Sequence, residues 1–129
     1  MEGIELLEQA LENENNNNIL QYTKQSILED KQNIIKENEM LEKLEDYRYI
    51  SNLEDVHHGC YIRWISDGSL VTGGIVCKFN KDKGTITVRN SRNRFFTCPF
   101  HKVYVFQKIT EQEGLLLEIA SLIQEKGGT

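Results

Sequence analysis

Proline is nearly absent from this sequence. Pro99 is the only one in 129 residues, and no glycine occurs from Ile4 to His58, so neither of the strongest helix breakers interrupts that span. Apolar runs such as Leu115–Leu117 are short, far from the roughly 20 residues a membrane helix needs. The acidic N-terminus has neither the basic start nor the apolar core of a secretory signal. Cysteine is scarce: Cys60, Cys77 and Cys98 are odd in number and widely spaced, which argues against a disulfide framework and for a reducing compartment. No Asn-x-Ser/Thr sequon occurs. An intracellular or intravirion location is expected.

Charge of one sign is scarce in each part of the chain. Residues 1–55 carry 5 Lys/Arg against 14 Asp/Glu, residues 56–110 carry 9 against 2, and residues 111–129 carry 1 against 4. A basic middle between acidic arms attracts an anionic partner, or pairs the arm of one molecule with the middle of another.

Ile4, Leu7 and Leu11 recur at helical spacing. The run Asn13–Asn18 then reads as a hinge, because asparagine side chains compete for backbone hydrogen bonds. Beyond it, Leu20, Ile27, Ile34 and Leu41 fall seven apart, with Leu44 widening the stripe. That spacing predicts a coiled-coil-like helix from about Ile19 to Tyr49, roughly 45 Å long, with one seam to bury against a partner. Lys24, Lys31 and Asn38 occupy intervening seam positions and weaken a free-standing coiled coil.

The character changes near residue 53. Leu53–His58 reads as a connector or first edge strand. Residues 60–65, 70–79, 85–90, 94–98 and 103–108 are short β-branched or aromatic segments separated by turn residues such as Asp67-Gly68 and Asn80–Gly84. Gly73-Gly74 predicts a bulge inside the second of them. Pro99–His101 allows only a tight turn. Thr110 and Glu113 have the spacing of a capping box before an apolar-sided helix. The fold class is α+β: a small SH3-like five-stranded antiparallel β-barrel (53–109), a long N-terminal helical stalk (1–52, hinged at 13–18) and a short C-terminal helix (110–129). An OB-like barrel is the nearest alternative.

No catalytic constellation can be assigned. His57, His58 and Cys60 form one cluster and Cys98 with His101 another, but the spacings are irregular and lack the paired Cys-x₂-Cys of a structural zinc site. Buried cysteines and surface histidines explain them better. Neither cysteine has an orienting group or oxyanion loop, and Gly73-Gly74 lacks the Lys-Ser/Thr of a phosphate loop. No enzyme activity, metal or cofactor is expected. Arg89, Arg92, Arg94 and Lys102, interleaved with Phe95, Phe96 and Tyr104, form a candidate face for anions or single-stranded nucleic acid; a solvated rim meeting acidic protein is the competing explanation.

Gly59–Ile65, Gly73–Val76, the Thr85–Val88 strand and the closing Val103–Lys108 together resemble small β-barrel proteins of large double-stranded DNA viruses. The asparagine-rich run is in keeping with such a source. The resemblance covers about fifty residues of strand and turn pattern, and implies a virion component of the minor capsid or cement type. It supplies no functional residue. The leading expectation is a non-enzymatic structural protein that assembles through protein–protein contacts, with the seam Leu20, Ile27, Ile34, Leu41 and Leu44 as partner-binding residues. Nucleic-acid binding is the alternative.

Overall fold

The computed structural model describes residues 18–127, and within them the side chains of residues 19 and 21–123. A 3₁₀ turn, Asn18–Gln21, leads into helix α1, Lys24–Ile34. Thr23 caps α1: its hydroxyl accepts from the Ser26 amide at 3.0 Å, and the Ser26 hydroxyl accepts from the Thr23 amide at 2.8 Å. The helix stops where Ile35 (φ −108°, ψ 122°) turns extended. Helix α2, Asn38–Lys43, is only six residues long, and strand β1, Tyr47–Ile50, follows it.

The unbroken helix expected over Ile19–Tyr49 is therefore not formed. Paired β-branched residues at Ile34-Ile35, and Asn33 and Asn38 around them, have weaker helix propensity. Burial decides the matter: Ile35 is 3% exposed and packs with Leu44, Ile65 and Phe106. The segment lies on the sheet instead of projecting from it as a stalk. Of the expected hinge, residues 13–17 lie outside the described residues, and Asn18 opens the 3₁₀ turn.

Six strands form one antiparallel sheet: β1, β2 (Tyr61–Ser66), β3 (Ser69–Asn80), β4 (Thr85–Arg89), β5 (Phe95–Pro99) and β6 (Tyr104–Lys108). Their order is β1-β6-β2-β3-β4-β5. Five of them match the expected strands to within a residue or so. The sixth, β1, comes from the segment read as helix; it pairs with β6 from Tyr47↔Lys108 to Ile50↔Val105. Among the described residues β1 and β5 are left as edges, so the hydrogen bonding there is that of an open six-stranded sheet and not of a closed five-stranded barrel.

The turns follow their sequences. Asp67 (φ 50°) and Gly68 (φ 77°) join β2 to β3, and the Asn90 side chain accepts from the amides of Arg92 and Arg94 in the β4–β5 turn. β3 carries both register shifts of the sheet, opposite Ile62/Trp64 and at Val76/Lys78. Such bulges bend a strand, and the sheet curls. Side chains from all six strands meet on its inner face, including Ile50, Ile62, Trp64, Val76, Ile86, Cys98 and Val105.

The helices cover part of the outer face. Ile34, Ile35, Met40, Leu41 and Leu44 pack on Tyr47, Tyr49, Ile65 and Phe106. Lys31, a position expected to weaken the helical seam, is buried, and its ammonium donates to the carbonyls of Leu44 and Glu45 at 3.0 and 3.2 Å. Burial lowers its pKa, with Glu45 and Asp46 opposing.

Helix α3, Glu111–Gly127, starts at the expected capping box. Thr110 Oγ1 accepts from the Glu113 amide at 3.1 Å, and Glu113 Oε1 accepts from the Thr110 amide at 3.0 Å. Leu116 and Leu117 pack on Ile19 and Ile27, so the helix docks on the N-terminal segment. Glu113 also meets Arg48 of β1 at 3.4 Å, both side chains being almost completely buried. The Arg48 guanidinium lies 5.3 Å from the centre of the Tyr22 ring. One buried cation thus joins β1, α3 and the 3₁₀–α1 junction.

Candidate functional site

The helical seam is used inside the molecule. Ile27 faces α3, while Ile34, Leu41 and Leu44 face the sheet; the side chain of Leu20 lies outside the described ones. The four described members of the stripe thus pack within the molecule.

The cysteine and histidine clusters do not converge. Cys98 is buried in the sheet core, and burial pushes its thiol up to about 12, far above the range of a reactive thiolate. Burial also pushes the Cys60 thiol up; Glu113 adds to the shift and Arg48 opposes it. His57 lies in the connector after the Leu53–Asp55 turn, where its amide donates to Gln107 Oε1 at 2.8 Å. His58 and His101 are exposed. Among the described residues, no group of three or more His, Cys, Asp or Glu side chains is placed to hold a metal ion. Among the same residues, no helix is long and apolar enough to cross a membrane.

Two surfaces among the described residues follow from the sheet. The first is the edge strand β5. Arg94, Phe95, Phe96 and Thr97 are exposed, Phe95 at 64%. The Asn90 amide donates to the Arg94 carbonyl at 2.9 Å, and the Phe100 amide to the Gly84 carbonyl at 3.1 Å. In an antiparallel ladder, residues alternate between those that bond the neighbouring strand and those that do not. Residues 94, 96, 98 and 100 therefore bond towards β4, and Phe95, Thr97 and Pro99 turn their backbone groups to the open side. That side offers two amides and three carbonyls, since proline has no N–H.

Cations stand at both ends of this edge. Arg92 and Arg94 precede it and Lys102 follows it. The Lys83–Gly84 turn adjoins the second end: a Cβ on Gly84 would come within 2.4 Å of His101 Cδ2. The sequence reading grouped Arg89, Arg92, Arg94 and Lys102 as one face. The structure gathers the three arginines at the β4–β5 turn and sets Lys102 beyond the other end of β5, about 17 Å away along five strand residues.

The second surface is the half of the outer face that the helices leave open. None of the six strands contains an aspartate or a glutamate. Across them, register aligns Tyr47 with Lys108, Tyr61 with Ile75, Ile75 with Arg89, and Arg89 with Phe95. Tyr47, Tyr61, Arg63, Thr72 and Lys108 line a shared hollow of 250 Å³. Sequence reasoning found Arg89 and Phe95 but not the Tyr47–Tyr61 hollow. The seven-residue spacing places Tyr47 at the end of a helix, and its neighbour Lys108 lies about sixty residues along the chain.

No family model matches the chain, and no curated protein or solved structure shows significant similarity to it.

Proposed function

We propose that this protein is a non-enzymatic interaction module that takes its place in an assembly by accepting an extended acidic strand of another protein along β5. The observation that carries the reading is the outward backbone of Phe95, Thr97 and Pro99 on an exposed edge whose flanking side chains are cationic. Edge strands of this kind template pairing unless they are covered or charged against it. The other edge is a poorer template, since β1 has four residues and packs beside α1.

Electrostatics selects the partner. If two copies paired β5 on β5 about Thr97, Arg92 of one would lie opposite Lys102 of the other, and Phe95 would face Pro99, which has no amide to give. A heterologous strand with carboxylates at both ends avoids both costs. Strands β2–β6, with the 3₁₀ turn Phe100–Lys102 before the last, support reading the core as an SH3-like barrel to which β1 has been added. A minor capsid or cement protein of a virion is the form of assembly component implied by the sequence resemblance.

The test uses two synthetic nine-residue peptides with the same alternating Thr-Val centre, one ending in glutamates and the other in lysines. We expect the acidic peptide to bind at least tenfold more tightly at 50 mM salt, slowing hydrogen exchange at the Phe95 and Thr97 amides. Thr97→Pro, which removes an outward amide and no β4 bond, should abolish that binding while leaving the melting temperature nearly unchanged. Equal binding of the two peptides, or protection elsewhere than β5, would refute the reading.

A further inference from the structure

The open outer face has a chemistry that strand addition to β5 does not use. The row from Tyr47 and Lys108 through Tyr61 and Ile75 to Arg89 and Phe95 sets two cations among flat or apolar side chains. It spans six strands, roughly 24 Å at about 4.8 Å per gap. Arg63 and Lys108 supply charge to the hollow at one end, and Arg89 to the other. The strands beneath contribute no carboxylate.

The hollow has a further property that an ordinary solvated rim lacks. Arg63 donates through Nη1 to the Lys43 carbonyl at 3.4 Å, which anchors the guanidinium at the edge of the helical layer, and its Nε is buried without a hydrogen-bond partner. Lys108 and the hydroxyls of Tyr47, Tyr61 and Thr72 line the same space. Every polar side chain facing the hollow can donate a hydrogen bond, and none is anionic. Such a donor set suits a phosphate group, and two tyrosine rings beside it suit a planar base.

We propose that this face binds single-stranded nucleic acid, with one nucleotide seated in the Tyr47–Tyr61 hollow and the strand running across β2, β3 and β4 towards Phe95. Stacking on Tyr61 and Phe95 requires bases that are not already stacked in a duplex, so single strands are preferred to double strands. Arg63, Lys108 and Arg89 take the phosphates. The length of the row corresponds to about four nucleotides, the lower end of the range for small barrels.

Fluorescence polarisation with a labelled fifteen-nucleotide oligothymidylate, between 50 and 300 mM salt, tests this on the full chain. Three phosphate contacts predict a log–log salt slope of about −2, at roughly −0.7 per contact for single strands. The double variant R89A/K108A should reduce the slope to about a third. Tyr61→Ala should weaken binding at least about fivefold with the slope unchanged, because it removes a stacking surface and no charge. A duplex of the same length that binds as tightly, a slope unmoved by R89A/K108A, or no binding at 50 mM salt would overturn the proposal. Photocrosslinking of a bromodeoxyuridine-substituted strand to the unaltered protein gives a readout independent of variant folding. Adducts at Tyr47, Tyr61 or Phe95 are expected, and adducts confined to the helices would refute it. If the acidic peptide of the preceding test displaces the oligonucleotide completely while Tyr61→Ala is silent, the face is a protein-binding surface and the nucleic-acid assignment fails.

Discussion

At the scale of single residues, the position asking most of its surroundings is Arg48. It is 1% exposed, and of its guanidinium only Nη2 finds an anion, Glu113 Oε2 at 3.4 Å, while Nε and Nη1 have no hydrogen-bond partner. That distance exceeds the usual 2.7–2.9 Å of a charge-assisted bond, so charge neutralisation matters more here than bond geometry, and the Tyr22 ring adds a cation–π contact. Removing one member of a buried pair leaves an uncompensated charge, at a cost of about 3–5 kcal/mol. Glu113→Gln separates charge from capping, because the amide oxygen can still accept from the Thr110 amide. Urea denaturation should show Glu113→Gln losing several kcal/mol, and the double variant R48M/E113Q losing less than the two single losses added together. A coupling energy of about 0.5–3 kcal/mol is expected; simple additivity would show that the pair contributes through packing alone.

At the scale of elements, two glycines distinguish close backbone approach from ordinary helix propensity. Gly73 (φ +70°) lies at the first bulge of β3, and a Cβ there would fall 1.9 Å from the Ile62 carbonyl oxygen, a backbone atom that cannot rotate away. Gly114 lies in the first turns of α3 with nothing within 4 Å of a Cβ. Gly73→Ala should destabilise by more than the ~1 kcal/mol that a positive φ alone costs, whereas Gly114→Ala should stabilise by up to about 1 kcal/mol. Thermal melts of the two variants should move in opposite directions. The bulge was legible in the sequence, as were the Asp67-Gly68 turn, the Thr110–Glu113 cap and five of the six strands, because each depends on residues close together along the chain. The break at Ile35 was not legible. Seven-residue spacing records which residues are buried but not what buries them, and two short helices on a sheet satisfy it as well as one long helix on a partner. Strand β1 was hidden for a related reason: Tyr47–Ile50 is too short to display its period, and its partner β6 lies far along the chain. The open-face hollow depends on that same pairing, so it shared the same invisibility.

At the scale of the whole molecule, net charge and local charge point in opposite directions. The chain carries −5 overall, yet its strands hold only basic ionisable side chains besides tyrosine and cysteine. Five of its carboxylates, Glu2, Glu5, Glu8, Glu12 and Glu14, fall in the first seventeen residues, where there is no lysine or arginine. A polyanion approaching the open face therefore meets local attraction set against repulsion from elsewhere in the same molecule. Salt separates the two: phosphates on Arg63, Arg89 and Lys108 are in contact, whereas charges not in contact with the strand are screened over about 10 Å at 0.1 M salt and about 3 Å at 1 M. Deleting residues 2–17 should raise oligothymidylate affinity a few-fold at 50 mM salt, and the advantage should shrink as salt is added. The number of phosphates contacted would not change, so the contact contribution to the slope stays, and the deletion steepens the total slope slightly by removing an opposing term. Affinity titrations of both chains across the salt series decide this. Equal affinities at low salt would mean that the N-terminal charge does not reach the face. A loss on deletion would mean that the segment helps to hold the strand, and would turn the opposition between arm and sheet into cooperation.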